Sequence, residues 1–243
     1  MCTIFFAYKI HPKYPFIYIG NRDEFYSRPT ERAKYHHGVL MGRDLEKGGT
    51  WFGLKNDKIG FLTNYRDMDN IKENASTRGH LIVEYLLHNI DTVKYIRQLK
   101  KTHAIINDYN LVIGDLNELF YYSSLKSEHK RLEPGVYGLS NAFLNTPWPK
   151  VEKGKKQLEG LKDFTVEDLF SILDDQSIAD DSLLPDTKLE YEWEKALSAL
   201  HVDHKNYGTV YKQVVLYDGK TITYYDKTIE DNFKSMASYK IEV

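Results

Sequence analysis

Two apolar runs joined by a short turn open the chain: TIFFAY at residues 3–8 and FIYIG at residues 16–20. The turn contains His11-Pro12-Lys13, so the pattern is typical of a β-hairpin. A hairpin places the start of its first strand beside the end of its second strand. The sequence therefore predicts that Cys2, just before the first run, lies next to the polar cluster Asn21 to Glu24, just after the second.

The rest of the chain alternates between strand-like and helix-like apolar patterns. Further strands are predicted at Val39–Gly42, Thr50–Lys55, Lys58–Asn64, Leu111–Ile113, Leu119–Tyr122, Val136–Leu139, Tyr207–Tyr217 and Thr221–Tyr225. Apolar residues spaced by three and four positions predict helices near residues 81–86, 93–99, 149–161, 166–173 and 189–200. The polar stretch from Asp174 to Lys188 predicts a loop.

This order of strands, then helices, then strands favours an α+β fold in which the last hairpin returns to the first sheet. The strands up to Asn64 are interpreted as one antiparallel meander, and those between residues 111 and 139 as part of a second sheet. Strands buried on both faces lose the regular alternation of apolar and polar residues. Many of the predicted strands lack this alternation. A four-layer αββα sandwich of two mainly antiparallel sheets satisfies this pattern. Without an internal repeat or linker, residues 1–243 are predicted to form a single domain.

The composition of the chain argues against several classes of function. Lys and Arg total 33 against 35 Asp and Glu, and no basic stripe is present, which argues against nucleic acid as a partner. No apolar stretch approaches the roughly 18 residues that span a bilayer, so no integral membrane association is expected. One cysteine and no signal-peptide pattern predict a cytoplasmic protein. The nine histidines show no ligand spacing, so we assign no metal and no cofactor.

The only cysteine, Cys2, follows Met1 directly. Removal of Met1 would leave a thiol and a free α-amine on one residue. Their ordinary pKa values, about 8.5 and about 7.7 to 8.0, allow the amine to take the thiol proton near neutral pH. With Met1 retained, the amine is part of a peptide bond and this transfer is impossible. The alternative is that Cys2 is a small buried apolar residue of a strand.

Seven short motifs lie in order along nearly the whole chain: MCTI at residues 1–4, NRDEF at 21–25, GGTWFG at 48–53, LTNYR at 62–66, RG at 78–79, GLSN at 138–141 and YGT at 207–209. Together they resemble the NRDE family, relatives of transport and Golgi organisation protein 2. That family is similar to the cysteine-type N-terminal nucleophile hydrolases, which include bile salt hydrolases and penicillin V acylases. The resemblance implies an αββα fold and chemistry on a non-peptide amide bond at Cys2.

An acyl-transfer site needs a nucleophile, a base, an anchor for the protonated base and donors to the developing oxyanion. Cys2 supplies nucleophile and base once Met1 is removed. Asp23 is the candidate anchor for the α-ammonium, and Arg22 is a candidate cation that lowers the thiol pKa. Adjacent strand residues point to opposite faces, so both can face Cys2 only where the strand ends or bulges. Of the two we favour Asp23, whose carboxylate at the end of the partner strand can hold the α-ammonium. In the acylases the arginine precedes its aspartate by three residues, and Gly20 occupies that position here.

Asn64 and Asn141 each end a short apolar strand, where a side-chain amide can donate to an oxyanion. By resemblance they match the two asparagines of the acylases. The alternative is that each bonds its own turn backbone. The family usually continues Gly-Thr with Arg near the C-terminus, whereas Val210 stands there in this chain. Arg66 and Lys212 are candidates for the missing cation.

Four residues are predicted to contact substrate: Asn21, Trp51, Arg66 and Arg78. Trp51 follows Gly48-Gly49 and either walls a pocket or belongs to the core. Arg78 either clamps a carboxylate or phosphate, or is solvated or ion-paired.

The leading prediction is an N-terminal nucleophile hydrolase that cleaves a small amide through a thioester at Cys2. The alternative is a non-catalytic binder or carrier of an apolar, acid-bearing ligand such as haem or an acyl thioester. The partner is in either case a small molecule, and the oligomeric state is left open.

Overall fold

The computed structural model describes residues 2–101 and 105–243. Its strands are β1 (Cys2–Tyr8), β2 (Phe16–Phe25), β3 (Thr30–His36), β4 (Val39–Asp44), β5 (Phe52–Lys55), β6 (Lys58–Asn64), β7 (Tyr109–Asp115), β8 (Glu118–Ser123), β9 (Glu128–Arg131), β10 (Gly135–Leu139), β11 (Asp203–His204), β12 (Tyr207–Tyr217), β13 (Thr221–Thr228) and β14 (Ala237–Glu242). Its α-helices are α1 (His80–Leu87), α2 (Thr92–Leu99), α3 (Pro149–Gly160), α4 (Val166–Leu173) and α5 (Tyr191–Ala196).

The chain is α+β, with two antiparallel sheets of seven strands each. It divides into two compact units. The first unit comprises residues 1–27, 133–140 and 144–243, and the second comprises residues 28–132 and 141–143. The predicted class and the two mainly antiparallel sheets are confirmed. The four-layer stacking and the single domain over residues 1–243 stay predictions.

The sheet of the first unit has the strand order β10-β1-β2-β12-β13-β14, and β11 pairs with β12. The closing β12–β13 hairpin lies beside β2, so the predicted return of the last hairpin to the first sheet is confirmed. The opening hairpin is also confirmed, because β1 and β2 pair antiparallel along their length. All seven residues of β1 are buried.

Helices cover one face of this sheet, which we call the helix face. Helix α3 packs on β1 and β10, and α4 packs on β2 and β12. Phe5, Ile19 and Val214 lie in the apolar core between sheet and helices. Gly154 of α3 lies so close to the sheet that a Cβ there would be 2.2 Å from Phe5 Cζ. We call the opposite face the Cys2 face, because residues of β1 alternate and Cys2 is out of phase with Phe5.

The sheet of the second unit runs in chain order from β3 to β9. Its helices α1 and α2 bury Ile82, Leu86 and Tyr95 against strand residues that include Val39 and Leu111. Asp91 begins α2 as its N-cap, since its side chain accepts a hydrogen bond from the backbone of Lys94.

Several boundaries differ from the predictions. The expected single meander is wrong: β1–β2 belong to the first sheet, and β3–β6 join β7–β9 in the second. Strands β3, β9 and β14 were not predicted, because they lie at sheet edges, and TERAKYH and EHKR carry little apolar character. Helix α5 is shorter than residues 189–200, because Leu197 and Leu200 are buried in the turns that follow it. None of the helices in the described ranges is long and apolar enough to cross a membrane.

Candidate functional site

Cys2 and Arg22 are direct cross-strand partners in the β1–β2 pair. Opposed residues of an antiparallel pair project from the same face, so both lie on the Cys2 face. Cys2 is 7% exposed and Arg22 is 5% exposed. The predicted proximity of Cys2 to the polar cluster is therefore confirmed, and Arg22 is the member opposite it.

The thiol of Cys2 is protonated at neutral pH in this environment. Burial raises its pKa to about 11, although the positive charge of Arg22 acts to lower it. The Arg22 guanidinium also pairs with Glu24, at 3.5 Å between Nη2 and Oε2. Glu24 lies two residues along β2 and so shares the face of Arg22. The positive charge beside Cys2 is thus partly neutralised by its own strand.

The polar cluster divides between the two faces of the sheet. Asp23 follows Arg22 and so lies on the helix face, where its Oδ1 accepts a hydrogen bond of 2.7 Å from the Thr209 hydroxyl. The backbone carbonyl of Asp23 accepts one of 2.8 Å from the Tyr207 hydroxyl. The register therefore favours Arg22, rather than Asp23, as the neighbour of the thiol. The anchoring role of Asp23 stays a prediction.

Strand β12 has a β-bulge where it pairs with Arg22 and Asp23. The β12–β2 register shifts between Thr209 and Tyr211, so that Val210 is the extra residue. Thr209 pairs with Asp23 and Tyr211 pairs with Arg22. Thr209 belongs to the YGT motif, but it was not predicted from the sequence as the partner of Asp23.

The side chain of Asn21 hydrogen-bonds two backbone carbonyls on the helix face. Its Nδ2 donates hydrogen bonds of 2.9 Å to the backbone carbonyls of Leu173 and Leu200. Leu173 ends α4, so Asn21 supplies a donor to a helix terminus. Asn21 is 2% exposed, and its Oδ1 accepts no hydrogen bond from the described part of the chain. Its predicted substrate contact stays a prediction.

Lys212 is a buried cation on the helix face. It pairs with Asn21 in the β12–β2 register, is 1% exposed and forms an ion pair with Asp174. Its ammonium also lies 4.2 Å from the ring centroid of Phe233. Burial lowers the pKa of Lys212. Because it projects from the face opposite Cys2, the geometry does not favour Lys212 as a replacement cation near the thiol.

Three of the predicted residues meet in the second unit. The Asn141 Nδ2 donates to the Asn64 carbonyl at 2.9 Å, and the Arg66 backbone N–H donates to the Asn141 carbonyl at 2.8 Å. Asn110 was missed in the sequence and holds the same segment, since its Nδ2 donates to the Ala142 carbonyl at 2.8 Å. Its position inside an apolar strand is the signal that could have identified it.

The remaining predicted contacts have structural partners in the second unit. Arg78 Nη1 donates to the Asp108 carbonyl at 3.1 Å, and Trp51 is 6% exposed. Gly49 lies against another backbone segment, because a Cβ there would be 2.7 Å from Gly79. The burial of Trp51 and the close packing of Gly49 match the alternative in which Trp51 belongs to the core. Within residues 2–101 and 105–243, no three His, Cys, Asp or Glu side chains are grouped to hold a metal ion.

The family model described as Transport and Golgi organisation 2 matches residues 1–231. The chain belongs to this family. The Transport and Golgi organization protein 2 homolog of Bos taurus is 33% identical over 250 residues, which cover 90% of this chain and 89% of that protein. The Homo sapiens homolog is 31% identical over 264 residues, covering 95% and 94%. The Drosophila melanogaster protein is 29% identical over 254 residues, covering 90% and 89%.

Membership of the Transport and Golgi organisation 2 family confirms the resemblance drawn from the seven motifs. The match includes MCTI at residues 1–4 and YGT at residues 207–209, so it contains both Cys2 and the strand that bears Thr209.

Proposed function

We propose that this chain is an N-terminal nucleophile hydrolase that cleaves a small non-peptide amide through Cys2 after removal of Met1. The observation that carries the proposal is the direct opposition of Cys2 and Arg22 on one buried sheet face. A cation beside a thiol stabilises its thiolate, which is the nucleophilic form. The similarity of the NRDE family to cysteine-type N-terminal nucleophile hydrolases supports the same chemistry and the four-layer αββα arrangement.

The reaction begins when the Cys2 thiol transfers its proton to the freed α-amine of the same residue. The sulfur attacks the amide carbonyl carbon, the C–N bond breaks, and the leaving amine takes the proton from the α-ammonium. Water then attacks the thioester while the α-amine accepts its proton. The carboxylic acid leaves, and the sulfur regains a proton. Arg22 stabilises the thiolate, and Asp23 is the proposed anchor for the α-ammonium. Asn64 and Asn141 are the proposed donors to the oxyanion, by resemblance to the acylases.

The high pKa of the Cys2 thiol means that its reactivity requires a base, which removal of Met1 would supply. A thiol whose pKa is about 11 is almost wholly protonated at pH 7, so it is a poor nucleophile without a base. Removal of Met1 creates that base on the same residue. We therefore expect that the chain is inactive while Met1 is retained.

The test compares protein with and without Met1, each verified by intact mass, against a panel of acyl amides. We expect turnover and a covalent acyl adduct at Cys2 only in the Met1-free form. Cys2→Ala is expected to lose both, and Cys2→Ser serves as the control of similar size. Turnover that survives Cys2→Ala would overturn the proposal.

A second candidate is a non-catalytic carrier of an apolar, acid-bearing ligand such as haem or an acyl thioester. The buried and protonated thiol favours it, because such a thiol behaves as an apolar group. Haemin and a long-chain acyl thioester would be titrated into Met1-bearing protein. For this candidate we expect saturable binding that Cys2→Ala preserves, and no turnover in any form of the protein.

The predicted cytoplasmic location of the protein stays a prediction.

A further inference from the structure

The side-chain amide of Asn110, near the start of β7, is fully buried and bonds three other parts of the second unit. Its Nδ2 donates to the Thr63 hydroxyl at 3.2 Å and to the Ala142 carbonyl at 2.8 Å. Its Oδ1 accepts a hydrogen bond of 2.6 Å from the Tyr121 hydroxyl. A primary amide has two N–H groups to donate, so the bonds to Thr63 and Ala142 use both. The bond from Tyr121 fixes the orientation of the amide.

Both residues that accept from the Asn110 amide are chain neighbours of the candidate oxyanion donors. Thr63 directly precedes Asn64, and Ala142 directly follows Asn141. Asn110 is also the cross-strand partner of Thr63 in the β6–β7 pair, so its side chain lies at the end of β6 that Asn64 closes. One buried amide is therefore bonded to both segments that carry the candidate donors.

Residues 141–143 lie outside the strands and helices, so their conformation depends on individual contacts. The Arg66 backbone N–H donates to the Asn141 carbonyl at 2.8 Å, and Asn141 Nδ2 donates to the Asn64 carbonyl at 2.9 Å. The bond from Asn110 to the next carbonyl along the chain adds a side-chain contact to these two. Asn110 and Asn141 are at most 1% exposed, so solvent does not readily replace a hydrogen bond lost here.

We propose that Asn110 is a positioning residue, which holds Asn64 and Asn141 where their side-chain amides donate to the oxyanion of the tetrahedral intermediate. The proposal deepens the function proposed above and rests on it. The oxyanion exists only while the substrate carbon is tetrahedral, so its donors act on kcat rather than on substrate binding. A misplacement of about 1 Å costs about 100-fold in rate. Loss of the Asn110 amide should therefore lower kcat at nearly constant KM.

The experiment uses the full chain without Met1 and the variant Asn110→Leu, which is similar in size and makes none of the three hydrogen bonds. Tyr121→Phe is a milder variant, because it keeps the ring and removes the hydroxyl that bonds Asn110. Its matched control is Tyr85→Phe, which removes a hydroxyl of the same unit that lies 2.7 Å from the Thr92 hydroxyl. The readouts are kcat and KM for the panel of acyl amides, the rate of Cys2 alkylation by iodoacetamide, and urea unfolding. Alkylation of the sulfur forms no oxyanion, so its rate reports on the thiol alone.

We expect Asn110→Leu to lower kcat by about 10- to 100-fold, with KM and the alkylation rate nearly unchanged. Tyr121→Phe should lower kcat by about three- to tenfold, because the Asn110 amide keeps its partners but loses the bond that orients it. Tyr85→Phe should leave kcat within about twofold of the wild type, whatever its effect on the unfolding midpoint.

A folded Asn110→Leu variant with the kcat of the wild type would overturn the positioning role. An equal fall in kcat and in the alkylation rate would also overturn it, because the defect would then lie at Cys2. Should Asn110→Leu fail to fold, equal kcat values in Tyr121→Phe and Tyr85→Phe would be the contrary result. Failure of the proposed function is distinct, since Cys2→Ala would then leave turnover unchanged or the wild type would cleave none of the amides.

Discussion

Cys2 and Arg22 face each other across the β1–β2 pair, and Arg22 also forms an ion pair with Glu24 on the same face. The pKa of the thiol is therefore set by opposing effects, of which burial is the largest. Burial favours its neutral form, and the guanidinium favours its thiolate. Glu24 weakens the second effect because it pairs with the same guanidinium. The reactivity of Cys2 thus depends on the charge pattern of β2.

Replacement of Arg22 is expected to reduce the reactivity of Cys2. Arg22→Gln removes the charge that lowers the thiol pKa, so the thiolate fraction at pH 7 falls about tenfold for each unit by which the pKa rises. Alkylation by iodoacetamide across pH measures this directly. Arg22→Lys keeps the charge and is the matched control. Equal alkylation rates in the wild type and Arg22→Gln would show that the guanidinium does not act on the thiol.

Asn21 is expected to contribute to stability through its two hydrogen bonds. Asn21→Leu keeps a similar size but loses the N–H groups that bond the Leu173 and Leu200 carbonyls. Two buried acceptors then lose their donor, at a cost of about 2 to 4 kcal/mol. Urea unfolding measures the change. The same substitution at exposed Asn206 should alter stability by less than about 0.5 kcal/mol.

Sequence patterns predicted the hairpin that joins Cys2 to residues 21–24, but not which residue faces the thiol. That choice depends on register, and a shift of one residue moves every side chain to the other face. Asp23 was preferred for the chemistry of its carboxylate and for the resemblance to the acylases, whereas pairing places Arg22 opposite Cys2. Likewise, the bulge at Val210 has no signal in composition, so the bond from Thr209 to Asp23 could not be predicted.

The central strands were predicted because continuous apolar runs mark strands buried on both faces. The edge strands β3, β9 and β14 have mixed or polar sequences, and their pairing depends on neighbours distant in the chain. Asn64 and Asn141 were grouped by the resemblance to the acylases, but no pattern predicted the hydrogen bond that they share across 77 positions. Such long-range pairs follow from the tertiary fold, which a single sequence does not specify by periodicity.

Gly154 is expected to tolerate no side chain. A Cβ at this position would be 2.2 Å from the fully buried ring of Phe5, so α3 or the ring must move. Gly154→Ala should destabilise the chain by about 1 to 3 kcal/mol, despite the better helix propensity of Ala. Gly160, at the end of the same helix, has open space around it, so Gly160→Ala is expected to be neutral or slightly stabilising. Equal unfolding midpoints for the two variants would contradict the close contact.

The raised pKa of Cys2 predicts a loss of stability at alkaline pH. A thiol with a pKa of about 9 when unfolded and about 11 when folded binds its proton more tightly in the folded state. Its contribution to the free energy of unfolding is fully present below pH 9 and is lost as the pH rises to about 11. A shift of two units corresponds to about 2.7 kcal/mol.

Cys2→Ala removes this titration and leaves the tyrosines and lysines that also titrate at high pH. The difference in unfolding free energy between wild type and Cys2→Ala should therefore change by roughly 2 to 3 kcal/mol between pH 8 and pH 11. Chemical denaturation at several pH values, under reducing conditions, measures that difference. Parallel pH profiles for the two proteins would contradict the raised pKa, because a thiol that titrates alike in the folded and unfolded states contributes no pH-dependent stability.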